Sequence, residues 1–347
     1  MTCPRCGLVR AAAVATVLAL SAATSASAAC PAPPEPVLSL SYASRYAADS
    51  ATRSDLDADA AGDAGDAQRP VDDFLRDLTE AANTVYDDGT DAGAVADCII
   101  SQIAVWAEAD ALSDLSTETA NLTVGSRIAG FGLVMMQVWP HTTTPGQTDA
   151  IQAWLARLMR AQTQFWEQDA PDGARQGNLR AWAALGGASV AAVLDDPALR
   201  SWAAWSVSHV MCSADADGSL PQEMRRGSLA LHYQLHAIAP LVVTTLLLNH
   251  QGIDLTQTCD AALARVVAFA VDDLDSGAAT QAITGEVQSY FDGTDTLEPF
   301  NLAWIEAYLR LPGMPDREAL DRLAADYRPL GYSKLGGNQS LIWQHLP

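Results

Sequence analysis

Apolar residues recur along this chain at the spacing of an α-helix. Ile151, Trp154, Leu155, Leu158, Met159 and Phe165 fall on one helical face, and comparable stripes run through residues 71–86, 94–113, 125–138, 178–194, 198–213, 227–250, 260–273, 301–311 and 317–326. Strand-like alternation is nearly absent. The pattern predicts about ten helices joined by short loops. Without a heptad or a short sequence repeat, they imply an all-α single domain of helical hairpins wound into an incomplete (α/α) toroid, not a solenoid. The run from Ala237 to Leu248 is strongly apolar but short for a bilayer span, and Gln234 and His236 precede it. It reads as a buried core helix.

The N-terminal region departs from this pattern. Arg5 and Arg10 are followed by an apolar stretch from Ala11 to about Ala23 and by Ala26-Ser27-Ala28, a small-x-small cleavage site. Residues 1–28 are therefore expected to be a cleaved signal peptide that sends the mature chain to the periplasm, or out of the cell, without membrane insertion. A lipoprotein reading at Cys30 would need a bulky apolar residue at position 27, where Ser27 stands. Residues 29–68, rich in Pro, Asp and Ala and without a sustained period, predict an extended arm and a mobile lid loop. Residues 69–347 then carry the toroid.

Composition narrows the function. The signal takes two of the 20 basic residues and none of the 42 acidic ones, so the mature chain has a formal charge of −24. Such a surface repels nucleic acid. Lys334 is the only lysine. The other basic side chains are arginines, which clamp carboxylates through two parallel hydrogen bonds.

Cys3 and Cys6 leave with the signal, and Cys30, Cys98, Cys212 and Cys259 remain. In an oxidising compartment they predict two disulfides. Three pairings are open; Cys30–Cys98 is favoured because it pins the Pro-rich arm to the first core helix, with Cys212–Cys259 as its complement. No pair has zinc-site spacing. Asp55 to Asp66 lacks the glycine and closing glutamate of a calcium loop, and Asp215-Ala216-Asp217-Gly218 places Met224 at the closing position. The second stretch reads as a tight turn between helices. No metal or cofactor is expected.

The stretch Asp217-Gly218-Ser219-Leu220-Pro221-Gln222-Glu223-Met224-Arg225-Arg226, followed by Gly227 to Tyr233, carries the chemistry. Seven residues separate Arg226 from Tyr233, almost two helical turns, so guanidinium and phenol are expected to point into one cleft. A nearby arginine favours the phenolate that a tyrosine base requires. On its own, a tyrosine on an apolar helix is ordinarily a core residue, Arg226 a surface ion pair and Asn178 a helix cap. Most tryptophans of an all-helical chain are likewise core residues. His141, His209, His250 and His345 show no spacing that implies catalysis or metal binding.

The stretch resembles the DxxGxLPxExxR motif of the periplasmic mannuronate-specific alginate lyases, which leads to their catalytic tyrosine. Cys30 to Pro34 with Ser44-Arg45-Tyr46 is similar to that family's N-terminal arm, and Trp106-Ala107-Glu108-Ala109-Asp110-Ala111-Leu112 resembles its WARADAL helix. Ala303-Trp304-Ile305-Glu306-Ala307-Tyr308, then Arg328-Pro329 to Leu335-Gly336-Gly337, follow in the family's order. The family's Asn-Asn-His run with a tryptophan three residues on corresponds to Gly177-Asn178-Leu179 and Trp182. Leu179 replaces the catalytic histidine.

The resemblance implies β-elimination on an anionic polysaccharide, alginate or another polyuronate. Tyr233 would be base, acid or both, and Asn178 and Arg226 would neutralise the sugar carboxylate. Arg45, Tyr46, Arg53, Arg180, Trp182 and His232 are the expected substrate-binding residues, with Arg175 beside them, forming a basic groove on an acidic protein. In mannuronate the C5 proton and the leaving oxygen share a face, so one tyrosine can serve both. Guluronate wants a second base opposite, which Leu179 cannot supply. His232 or His236 could replace the histidine. The alternative is a protein that has kept the groove, lost the chemistry and binds an acidic exopolysaccharide; in either case a monomer is expected. A glycoside hydrolase would need two carboxylates that no motif places.

Overall fold

The computed structural model describes residues 1–2 and 30–346, so the expected signal peptide lies outside the described residues. The chain divides into residues 1–31 and 32–347; the second unit holds the fold. Its longer helices are α1 (Ala58–Asn83), α2 (Ala92–Glu108), α3 (Gly125–Val138), α4 (Thr148–Gln164), α5 (Asn178–Leu194), α6 (Pro197–Met211), α7 (Ala230–His250) and α8 (Thr258–Asp273). Shorter turns of helix, Ile305–Tyr308, Arg317–Ala325 and Gln339–His345, close the C-terminal side. Strand pairing among the described residues consists of two two-residue ladders and one isolated bridge. One ladder joins Ser39–Leu40 to Asp114–Leu115 in parallel, the other Gly331–Tyr332 to Gly337–Asn338 in antiparallel fashion.

The expected helical face of α4 is the buried one: Ile151, Trp154, Leu155, Leu158 and Met159 all point inward. They join Phe74, Trp106 and Phe131 in a core formed by α1 to α4, where the Phe131 and Trp154 rings meet edge to face at 5.2 Å. A second core is built from α5 to α8 and the C-terminal helices, including Leu185, Leu235, Leu246, Val266 and Trp304. Helix α5 runs between the two and packs on α3, α6 and α7. Its small residues permit this: a Cβ on Gly125 at the start of α3 would stand 2.7 Å from the Ala183 backbone of α5. The Ala237–Leu248 stretch lies inside α7 and is buried throughout.

One expectation is corrected. Residues 58–68 are not a lid loop but the first turns of α1. Asp57 caps them by accepting from the backbone N–H groups of Asp59 and Ala60. The segment shows little apolar period because it is mostly exposed, with Ala64 its only buried residue up to position 68. The strap proper is shorter. A bridge between Tyr46 and Leu56 closes it, and Arg45 O accepts from Asp57 N at 3.0 Å.

Cys212 and Cys259 form the expected bridge, with Cα atoms 5.5 Å apart. The C-terminal segment is tied down by amides. Gln137 Nε2 donates to Gly336 O at 2.9 Å, and Asn83 joins it by donating to Gln137 Oε1 at 2.8 Å and accepting from Asn338 N at 2.7 Å. This fixes Tyr332 and Lys334 over the mouth of the helical bundle. Ser126 and Arg127 of α3, Asn178 of α5 and Tyr233 of α7 all stand in the first turns of their helices, at one end of the molecule. The positive ends of those helix dipoles therefore face the same cavity.

Candidate active site

That cavity, about 370 Å³, is lined by Tyr233, Arg226, Asn178, Arg45, Tyr46, Arg53, Trp182 and His232. Eight of the nine site residues expected from the sequence thus share one hollow. Arg127, Tyr332, His236 and Lys334 join them, together with Leu122 and Leu179. No acidic side chain lines it among the described residues, although the chain carries 42. Two further hollows continue the cleft: one of about 250 Å³ shares Arg53, Leu122, Asn178, Leu179 and Arg226, and one of about 480 Å³ shares Phe300 and Tyr332.

Tyr233 is nearly buried. Arg45 Nη2 donates to its hydroxyl at 2.8 Å, and the Tyr46 hydroxyl is hydrogen-bonded to the same oxygen. Arg45 Nε also donates to the Tyr46 hydroxyl at 3.1 Å. The Arg226 guanidinium lies 3.9 Å from the Tyr233 ring centroid and 4.8 Å from that of Tyr46. Burial first, then the neighbouring Tyr233, pushes the Tyr46 phenol up to about 12. Tyr46 therefore stays protonated at neutral pH. One guanidinium and one neutral phenol are hydrogen-bonded to the Tyr233 oxygen, and a second guanidinium lies over its ring.

Arg226 and Tyr233 converge, but not by helical spacing. Arg226 precedes a short turn, Gly227–Leu229, and α7 begins only at Ala230. Gly227, at φ +55°, supports the bend before that turn. Upstream, the turn closes when Gly218 N donates to Asp215 O at 2.9 Å. The buried Gln234 side chain then holds it, donating to Gly218 O and accepting from Leu220 N, both at 3.0 Å. Gln234 follows Tyr233 on α7, so the motif and the tyrosine are locked together.

Asn178 begins α5 with its backbone N–H donating to Glu223 Oε1 at 2.7 Å and its Nδ2 donating to Oε2 at 2.9 Å. Its Oδ1 is buried without a partner, as are Arg226 Nε and Trp182 Nε1. Burial raises the Glu223 carboxyl to about 7, against the opposing pull of the Asn178 hydrogen bonds and the Arg226 charge.

His232 Nδ1 donates to Asp295 Oδ2 at 2.7 Å, and this hydrogen bond holds the Asp295 carboxyl below its usual range. His236 sits against Trp182, and burial, then His232 and Lys334, pushes its imidazole well below the usual range. Lys334 lies 3.8 Å from Asp72, and desolvation, then the Arg127 charge, lowers its ammonium to about 8.

Arg180 does not join the site. It lies two residues past Asn178, about 200° around a helix, and is buried on the opposite side. There it donates to Glu167 Oε1 at 2.5 Å and to Ser206 Oγ at 3.2 Å, under the Trp205 ring. Arg175 is likewise spent on carbonyls, donating to Ala170 O and Gln168 O. The basic lining comes instead from Arg127 and Lys334, which the sequence alone did not single out. Arg127 is buried and donates to both Asp72 oxygens, at 2.8 and 2.7 Å, a pairing across 55 residues that no local pattern announces. Glu223 stood inside the motif without a role.

The alginate lyase family model matches residues 39–280. The chain belongs to the alginate lyase family. A Pseudomonas paraeruginosa protein described as alginate lyase is 27% identical over 315 residues, 88% of this chain and 82% of its own length. A Stenotrophomonas maltophilia protein described as polysaccharide lyase is 28% identical over 290 residues, 81% of each. Among solved structures, a histidine-to-alanine variant of alginate lyase A1-III complexed with tetrasaccharide matches with a TM-score of 0.75 and 23% identity, covering 90% of this chain and 85% of that one. The unsubstituted A1-III from Sphingomonas species A1 matches at 0.70 and 22%. The toroid expected from the helical pattern is the α/α toroid of these alginate lyases.

Proposed function

We propose that this protein cleaves a polyuronate, polymannuronate first, by metal-independent β-elimination in the periplasm. The observation that carries the reading is the convergence of Arg45, Tyr46 and Arg226 on the Tyr233 phenol inside a cavity without acidic lining. The Tyr233 phenolate takes the C5 proton, the C4–oxygen bond breaks, and the proton returns to the leaving oxygen, giving a C4–C5 double bond. Arg226 and the Asn178 amide offset the charge that accumulates on the sugar carboxylate, and Arg45 and Arg53 hold neighbouring carboxylates.

Leu179 leaves the second base position empty, which favours syn elimination and hence mannuronate. The relatives described as alginate lyases support the substrate class. The test is ultraviolet absorbance of the unsaturated product from purified protein offered polymannuronate, polyguluronate and polyglucuronate. A rise greatest with polymannuronate is expected, and a rise only with polyguluronate would overturn the syn assignment. The second reading, a polysaccharide-binding protein without turnover, is favoured by Leu179 itself: it packs beside Leu122 in an apolar patch where the family carries an imidazole. Binding of all three polymers with no absorbance change would select it.

A further inference from the structure

Glu223 is paired with Asn178, and the elimination scheme gives its carboxyl no task. Both Glu223 oxygens accept from Asn178, one from the backbone N–H at 2.7 Å and one from the side-chain Nδ2 at 2.9 Å. The carboxyl is almost wholly buried at 1% exposure. Asn178 lines the cavity, and with Nδ2 held by Glu223 the amide atom that remains without a partner is Oδ1, buried at the cavity wall. That is the wrong polarity for a sugar carboxylate, which needs an N–H. An amide is nearly symmetric in shape, so turning it over exchanges donor for acceptor without moving a neighbour.

We propose that Glu223 is a positioning residue that sets the orientation of the Asn178 amide, and so decides whether a donor or an acceptor faces a sugar carboxylate. As a carboxylate, Glu223 draws the NH2 to itself and leaves Oδ1 buried without a partner. As a carboxylic acid, it keeps one oxygen on the backbone N–H of Asn178 and donates from the other to Asn178 Oδ1. Nδ2 then turns toward the ligand, and the orphaned oxygen is satisfied. The assignment of the carboxylate as ligand rests on the proposed function; the turning of the amide does not.

The groups around Glu223 are few. Arg226, three residues on, is the charged group that acts on it, favouring the carboxylate. The segment Pro221–Met224 packs against α7, whose first turns carry His232, Tyr233 and His236, and against the short helix Ala278–Thr284, which has no titratable side chain. Arg53 and Glu118 stand in the adjoining hollow. Burial outweighs these and holds the carboxyl near 7, so the two states exchange at physiological pH.

The experiment follows the Asn178 side-chain 15N and 1H resonances against pH, in the wild type and in Glu223→Gln. Glutamine mimics the acid: its oxygen accepts the backbone N–H and its NH2 donates to Oδ1. The wild type is expected to show a single transition near pH 7, with the Glu223→Gln spectrum matching the low-pH form throughout. Turnover of polymannuronate should fall about tenfold per pH unit above that midpoint in the wild type and lack this limb in the variant. Asn178 resonances that do not move between pH 5 and 9, or that move equally in both proteins, overturn the inference. If Glu223→Gln does not fold, the wild-type titration alone decides, through the presence or absence of the transition. A clear transition in a protein that makes no product would leave the inference standing and remove the proposed reaction.

Discussion

At the scale of single residues, the proposed syn chemistry makes its sharpest prediction at position 179. Leu179 is half-buried between the two hollows, so Leu179→His is expected to fold with a stability change within about 1 kcal/mol. It would put an imidazole on the side of the cleft that anti elimination needs. The expected outcome is new product from polyguluronate with polymannuronate turnover kept, checked by product absorbance on each polymer. Glu223 makes a separate prediction about stability. Its carboxyl is raised from 4.5 to about 7 in the folded chain. The stability this contributes is fully present below pH 4.5 and is lost as pH rises toward 7, about 3 kcal/mol in all. Melting temperatures of wild type and Glu223→Gln should therefore diverge over this window, with the variant gaining on the wild type as pH rises.

At the scale of elements, the turn before α7 shows how a short stretch aims side chains into the cavity. Gly218 has φ +97°, and a side chain there would run into the Arg265 carbonyl. Gly218→Ala should cost at least about 2 kcal/mol, from left-handed strain and overpacking together. It should also lower turnover by displacing Glu223 and Arg226; a denaturation midpoint and a rate assay check both. The long helices were legible because each turns an apolar stripe inward, and the bounds of α3 and α5 coincide with their stripes. The first turns of α1 were not, because they are exposed and rich in Ala and Asp. Arg180 is near Asn178 in sequence but not in space, because about 200° of helix separates them. Arg127 and Lys334 were hidden for the opposite reason: α1, α3 and the C-terminal ladder bring them to the cavity from distant segments.

At the scale of the whole molecule, the cavity contradicts its surroundings. A chain with a formal charge of −22 surrounds an acid-free hollow with arginines, a lysine and the positive ends of helices. An anionic polymer is repelled by most of the surface and attracted at one place, so binding should weaken steeply as Arg45 or Arg53 is removed and more gently with added salt. The bridge between Cys212 and Cys259, 47 residues apart, ties the end of α6 to the start of α8 and so frames the turn that carries Glu223 and Arg226. Replacing both cysteines by alanine should cost roughly 2–4 kcal/mol, read by chemical denaturation, and lower turnover at elevated temperature before the fold is lost.

The most direct measurement compares wild type and Tyr233→Phe on polymannuronate, following product absorbance and polymer binding in parallel. The phenylalanine keeps the ring beneath Arg226 and removes only the oxygen that Arg45 and Tyr46 hold. The account predicts product from the wild type, a fall of at least about a hundredfold in the variant, and binding little changed. Equal turnover in the two proteins would contradict it, because the acid-free cavity would then be doing its chemistry without the phenol on which its cations converge.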